Sequence, residues 1–472
     1  MSGPGPGDAA VRTALADARP APFWSDRPDL PSAGAPLTGR VRADLAIVGA
    51  GFTGLWAAVE ARAADPSASI VVLEAGRLGS GASGRNGGFL SASLTHGLAH
   101  GAAHWPTELP ALLRLGDANI DAIAAFVAEH DIDADLRRCG SLDVATRPHE
   151  VAGLADAAAL GTRYGRNATL LDADAVRADI ASPTYLAGVR RRDRDGLIDP
   201  VGLVLGLARV ARAAGVTIAE GSPVTRLVEG DGGAIRCETP AGAVEARRVL
   251  VATGGYAGPL RRMRAWILPV YDHVLMTEPL GEERWAALGW PERQGVSDSG
   301  TRFHYYRPTR DGRILWGGYD AVYHFGGRIS AAFEERRVTE ERLAANFLRT
   351  FPQLEGVRFT HRWAGVIETT SRFTPVFGTA FGGRVAYAAG YTGLGVGASR
   401  FGALVGLDLL AGRATERTRL GMVRRPPLPF PPEPLRSLVV GITQRALARQ
   451  DVDGRRGAWL RLLDRFGVGF DS

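Results

Sequence analysis

The sequence predicts an α/β fold in two parts: a Rossmann-like domain on a parallel sheet, and an inserted α+β domain built on an antiparallel sheet. Three observations predict it. An apolar β-branched run, a glycine turn and a helical pattern succeed one another over residues 43–64. A second strand, glycine turn and helix return over 384–410. Between them lie two insertions, about 96–195 and 270–360, the second of which alternates aromatic and aliphatic residues as a sheet with one buried face does.

In chain order, residues 1–41 are rich in Pro, Gly and Ala and read as an extended arm, with Trp24 as its anchor. Residues 42–95, 196–269 and 361–412 form the first domain. It opens with the strand Ala43-Asp-Leu-Ala-Ile-Val48, the turn Gly49-Ala-Gly51-Phe-Thr-Gly54 and the helix LWAAVEARAA. A second strand, Ser69-Ile-Val-Val-Leu-Glu74, ends on an acid twenty residues after Gly54. That spacing suits a dinucleotide. Glycines let the chain turn and a pyrophosphate approach, the helix N-terminus supplies N–H donors, and Glu74 accepts from ribose hydroxyls. Asp199-Pro200 opens the helix GLVLGLARVARAAG, and a later strand ends at Thr253-Gly254-Gly255. The strand Arg384–Gly390 leads into Tyr391-Thr-Gly393-Leu-Gly395-Val-Gly397, a second helix N-terminus facing a ligand. Residues 96–195 and 270–360 form the second domain, helical at its start. Residues 413–472 comprise a stiff Pro-rich linker from Arg424 to Pro434 and two basic amphipathic helices. Three placements stay open for those helices: against their own domain, against a partner subunit of a homo-oligomer, or on a membrane surface.

The chain has 472 residues, with 56 basic side chains, all arginine, against 50 acidic. Without lysine, neither a Schiff base nor a lysine general base is available, because arginine stays protonated. The net charge of +6 is spread along the chain, which argues against nucleic-acid binding; runs such as Arg190–Arg194 are broken by aspartates. Cys139 and Cys237 stand apart from any Cys/His cluster, so neither a metal site nor a disulfide framework is expected. No signal-like apolar segment is found at the N-terminus and no run approaches a membrane span, so a cytoplasmic location is expected.

Beyond the first glycine turn, the loop Gly79-Ser-Gly-Ala-Ser83-Gly-Arg85-Asn86-Gly87-Gly88, the GLIDP segment, the ATGG strand end and the GYTGLGVG turn occur in an order that resembles the FAD-dependent D-amino-acid-oxidase superfamily over about 42–412. Tyr305-Tyr-Arg, Asp311-Gly-Arg and Trp316-Gly-Gly are most similar to its γ-glutamylputrescine oxidase-like amine oxidoreductases. The resemblance implies an FAD-binding Rossmann-like domain of glutathione-reductase type. Carried over, Gly49, Gly51, Gly54, Glu74 and Ala75 hold the ADP half, and Val224 presents its backbone to adenine. Ser83, Arg85, Asn86, Gly87, Gly88, Thr253 and Gly254 line the cofactor, and Gly390, Thr392, Gly393, Gly395 and Val396 lie near the flavin pyrimidine. Relatives with covalent flavin carry a cysteine near the segment Trp363–Glu368; none stands here, which implies non-covalent FAD.

In glycine-oxidase-like members an arginine at the position of Ile367 grips the substrate carboxylate, which isoleucine cannot do. The expected substrate is therefore an amine lacking a carboxylate there, with Glu368 as a candidate partner for its charge. Tyr305 corresponds to a substrate-contacting tyrosine, and on strand alternation only one of Tyr305 and Tyr306 faces the cleft. Trp316, Tyr319 and Tyr391 are candidate pocket walls, and His304, His273 and Tyr305 candidates for modulating the amine proton. Trp316 also aligns with the lysine that promotes the oxygen reaction in sarcosine-oxidase-like members. The implied reaction is hydride transfer to flavin N5, hydrolysis of the imine to a carbonyl compound, and reoxidation by O2 to H2O2. Electron transfer to a quinone or carrier protein, and a biosynthetic role with non-amine chemistry, are the alternatives.

Overall fold

The computed structural model describes residues 7–192, 194–256 and 258–469; residues 1–6 of the arm and 470–472 of the tail lie outside them. The first sheet grows from Gly39–Val48, whose inner residues Ala46, Ile47 and Val48 are buried on both faces, as a parallel strand flanked by helices requires. It runs parallel to Ile70–Leu73 on one side and to Gly242–Val251 on the other. Thr217–Ala219 extends one edge in parallel and Val385–Ala389 runs parallel to the end of Gly242–Val251. Antiparallel strands Arg226–Glu229 and Ile235–Thr239 complete the opposite edge. Helices Phe52–Ala64, Pro200–Ala213 and Gly395–Leu410 pack together over this sheet through Leu55, Trp56, Leu203, Leu207 and Ala403. Asp199 caps the second helix, accepting the N–H groups of Val201 and Gly202, with Pro200 at the first position, where no N–H is needed.

Among the described residues the second sheet has nine strands, mostly antiparallel, running from Arg19–Pro20 at one edge to Ala168–Leu171 at the other. Its centre is the run Phe359–Thr369, Leu268–Thr277, Ile314–Gly318 and His304–Pro308. The strand Phe359–Thr369, expected mostly within the first domain, pairs along its length with Leu268–Thr277 in the second sheet. Alternation marks a strand without naming its sheet, and the register here is decided by the neighbouring strand.

The arm is also more structured than expected. Helix Asp8–Leu15 buries Val11 and Ala14 with the second-sheet core, and Arg19–Pro20 pairs in parallel with His361–Arg362. Trp24 is buried and donates its indole N–H to the Asn86 carbonyl at 2.9 Å, so it does anchor this segment. At the other end, helices Leu435–Asp453 and Ala458–Arg465 fold back on their own chain. Asp451 is buried and accepts the backbone N–H groups of Thr301 and Arg302, and Gln444 donates to the Ala321 carbonyl.

Candidate active site

A cavity of about 1760 Å³ runs between the two sheets, from the carboxyl ends of the parallel strands to the underside of the C-terminal helices. Ligands in open α/β sheets bind at that end of the strands. Gly49 has φ +103°, and a β-carbon there would come within 2.5 Å of the Ala252 carbonyl oxygen, so the turn needs glycine. Ser83 Oγ accepts the Phe52 N–H at 2.9 Å, which lays the 79–88 loop across the N-terminus of helix Phe52–Ala64. Glu74 is held at the mouth of this turn by the N–H groups of Ala50 and Gly76, at 2.8 and 2.9 Å. Gly51, Ala75, Arg85, Asn86, Gly88, Val224, Thr253, Gly254, Thr392, Gly393, Gly395 and Val396 also line the cavity. Gly54 and Gly390 do not; Gly54 lies under the turn, where its α-carbon meets the Gly49 carbonyl, and Gly390 (φ +84°) packs on Thr370. Both act through packing.

On the facing sheet, alternation sorts the expected residues. Tyr305 looks into the cavity, where its ring lies against Gly87: a β-carbon on Gly87 would stand 2.7 Å from Tyr305 Cε2. Tyr306 points the other way and shares a hydrogen bond with the Tyr185 hydroxyl at 2.6 Å. His304 and Trp316 lie on that same far side, stacked with ring centroids 4.4 Å apart within a core that includes Phe347 and Phe351. Neither lines the cavity, which corrects their assignment as catalytic residues; the even step from His304 to Tyr306 puts both on the buried face. Trp316 therefore has no place beside the ligand. Burial holds the His304 imidazole down to about 3, so it is neutral at working pH. Tyr319 stacks on His304 with 5.0 Å between centroids and is likewise absent from the wall. His273 faces away as well, its imidazole pushed down to about 4 by burial. Ile367 and Glu368 do line the cavity. Tyr391 reaches it too, but its hydroxyl accepts from Thr53 at 2.9 Å and is committed to the first domain's interior.

The structure adds residues that the sequence did not single out. Asp272 lines the cavity and accepts a hydrogen bond from the Tyr305 hydroxyl. Burial pushes its carboxyl up to about 7. Asp298, which accepts the His304 N–H, and Glu368, whose Oε2 has no partner among the described residues, are likewise raised to about 7 by burial. These three carboxylates form no ion pair among the described residues. The arginines of the wall do have partners: Arg85 binds Glu334, Arg191 binds Asp143, Arg166 binds Asp117, Arg194 is paired with Asp117 and Asp121, and Arg77 donates to the Pro31 carbonyl. His96 and His100 also line the cavity, and burial lowers them to about 4 and about 3, leaving both uncharged. An acid inside the apolar strand LPVYDHVLMT is the one signal that marked Asp272 in the sequence, since an ionisable residue there needs a partner or a function.

Comparison with known proteins decides the family. The FAD dependent oxidoreductase family, DAO, matches residues 44–406. The chain belongs to this family. It is thus an FAD-dependent enzyme of the amine and amino-acid oxidoreductase type. Among curated DAO relatives, the gamma-glutamylputrescine oxidoreductase of Escherichia coli (strain K12) is 32% identical over 401 residues, covering 84% of this chain and 89% of that protein. The probable oxidoreductase OrdL of Rhizobium meliloti (strain 1021) is 30% identical over 412 residues, covering 83% and 89%. Among solved structures, glycine oxidase from Geobacillus kaustophilus shares the fold with a TM-score of 0.66 at 24% identity, covering 80% of this chain and 96% of that one. The DAO cofactor fits the residues present, because the glycine turn at Gly49 and Gly51, the N-terminus of helix Phe52–Ala64 and Glu74 all line one cavity. No helix among the described residues is long and apolar enough to cross a membrane.

Proposed function

We propose that this chain oxidises the C–N bond of a cationic amine. One observation carries the reading. The cavity wall offers half-buried carboxylates that lack cationic partners, Asp272, Asp298 and Glu368, whereas its arginines are already engaged and position 367 is isoleucine. A wall of that kind favours an amine over a simple amino acid, whose carboxylate needs a free arginine fork. The name of the E. coli relative, gamma-glutamylputrescine oxidoreductase, agrees with this choice.

FAD, when bound, supplies the two-electron acceptor. The turn at Gly49 and Gly51, kept tight by Gly54, would receive its pyrophosphate, Glu74 its ribose, and the backbone at Val224 its adenine. Residues Ser83 to Gly88 would line the flavin, and the N–H groups of Gly393, Gly395 and Val396 would face its pyrimidine oxygens, where preorganised donors favour added charge. Tyr305 then contacts the amine from the cavity wall, and the C-terminal helices keep water from the chamber. The product imine hydrolyses to a carbonyl compound and an amine or ammonia. Neither cysteine lines the cavity, which supports non-covalent FAD. Acid precipitation is expected to leave the flavin in the supernatant, and flavin in the pellet overturns that attachment.

The acceptor we propose is O2, giving H2O2. A quinone or carrier protein is the second reading, favoured by the absence of any lysine to promote the oxygen reaction. Anaerobic mixing with a panel of amines tests the substrate class, with bleaching of the flavin band by at least one expected. Stopped-flow mixing of the reduced enzyme with O2 separates the acceptors: reoxidation within seconds supports the oxidase, and reoxidation over minutes supports the dehydrogenase.

A further inference from the structure

We propose that Asp272 is a catalytic residue which takes the proton from the bound ammonium, with Tyr305 positioning its carboxylate. The inference deepens the amine reading and rests on it. Asp272 stands on Leu268–Thr277 with its side chain on the cavity side, and Tyr305, two strands away, donates its hydroxyl to Asp272 Oδ2. The tyrosine ring is the same one that lies against Gly87, so the carboxylate is tied to the 83–88 loop that would line the flavin. A buried carboxylate without a cation is costly unless something supplies the charge. An ammonium group does so, and then has a base within reach.

The groups facing Asp272 leave that role to it alone. On the flanking strand Phe359–Thr369 its partner is Gly365, which carries no charge. From Ile314–Gly318 comes the backbone N–H of Gly318, and from His304–Pro308 the Tyr305 hydroxyl. Over the sheet lies Arg85, already bound to Glu334 and to the Ala364 carbonyl. Further along the wall stands Glu368. In the proposed step the ammonium N–H bond breaks, its electron pair stays on nitrogen, and the proton joins a carboxylate oxygen of Asp272. The amine is then neutral, as loss of hydride from the adjacent carbon requires, and the two electrons of that C–H bond pass to FAD.

The test uses the flavin-loaded enzyme, with Asp272→Asn and Tyr305→Phe checked for flavin content and thermal melting. The first readout is binding, followed through the flavin absorption, of n-butyltrimethylammonium, which has no N–H and does not react. Wild type is expected to bind it about 10-fold more tightly at about pH 8 than at about pH 5.5, because Asp272 loses its charge on acidification, whereas Asp272→Asn, left with Asp298 and Glu368 further along the wall, shows a clearly smaller ratio. The second is anaerobic flavin reduction by the amine that bleaches wild type. Its rate is expected to rise through about pH 7 in wild type. In Asp272→Asn it falls about 100-fold near pH 7.5 and recovers above about pH 10, where the amine arrives unprotonated. Tyr305→Phe removes a donor that favours the ionised carboxylate, and moves the rise to higher pH. Absent or pH-independent binding of the probe by wild type, an unchanged pH ratio in Asp272→Asn, or a rise that stays in place in Tyr305→Phe overturns the inference. If no amine bleaches the wild-type flavin, the amine reading itself fails, a result distinct from any of these.

Discussion

At the scale of single residues, burial sets the chemistry of this site more than any motif does. Asp272, Asp298 and Glu368 carry carboxyls raised to about 7, so in the folded chain each binds a proton that the unfolded chain has already released. The stabilising form is the protonated one. It is fully present below the unfolded carboxyl range near 4 and is lost as pH rises through 7. Asp298→Asn keeps an acceptor for the His304 N–H while removing the charge. Its melting temperature relative to wild type is therefore expected to increase from about pH 5.5 to about pH 8, and calorimetry at the two pH values checks it; a constant difference refutes the assignment. Trp316 teaches the converse. Its alignment with an oxygen-promoting lysine suggested a place at the flavin, but its ring is buried with His304, Tyr306 and Phe347. Trp316→Lys is expected to destabilise the fold by several kcal/mol, an unpaired charge replacing a packed ring, without speeding reoxidation by O2. Chemical denaturation and stopped-flow measure the two effects separately.

At the scale of elements, the strand, glycine turn and helix of residues 39–64 were legible because each part depends on local chemistry. Gly54 makes the point: a β-carbon there would lie 1.9 Å from the Gly49 carbonyl oxygen, within the turn itself. Gly54→Ala is expected to cost about 1–3 kcal/mol by overpacking and to release flavin during gel filtration, which the ratio of flavin to protein absorbance reports. The alternation in His304–Pro308 likewise told which of Tyr305 and Tyr306 faces the cavity. It did not tell that Phe359–Thr369 belongs to the second sheet, because strand pairing joins residues about ninety positions apart, such as Asp272 and Gly365. Nor does proline-rich composition exclude a helix such as Asp8–Leu15 when a partner surface buries its apolar side.

At the scale of the whole molecule, the C-terminal helices lie beyond the residues that the family matches, yet Thr443, Leu447, Trp459 and Leu463 wall the cavity. Asp451 fastens them to the loop at Thr301 and Arg302. Asp451→Ala leaves those N–H groups without their acceptor, which costs about 1–3 kcal/mol, and is expected to speed proteolytic cleavage within 425–469 while the rest of the chain resists. An unchanged cleavage rate refutes the fastening role. Amphipathic pattern alone left three placements open for these helices, since an apolar stripe says that something is buried and not what buries it. That division runs through the molecule. The amino-acid sequence by itself determined the first glycine turn, the position of Glu74 beside it and the strand periodicities, because these arise from contacts within a few tens of residues. Only the tertiary structure decided which side chains share the chamber, because Asp272, Tyr305, Glu368 and the C-terminal roof meet through pairings whose register no local pattern encodes.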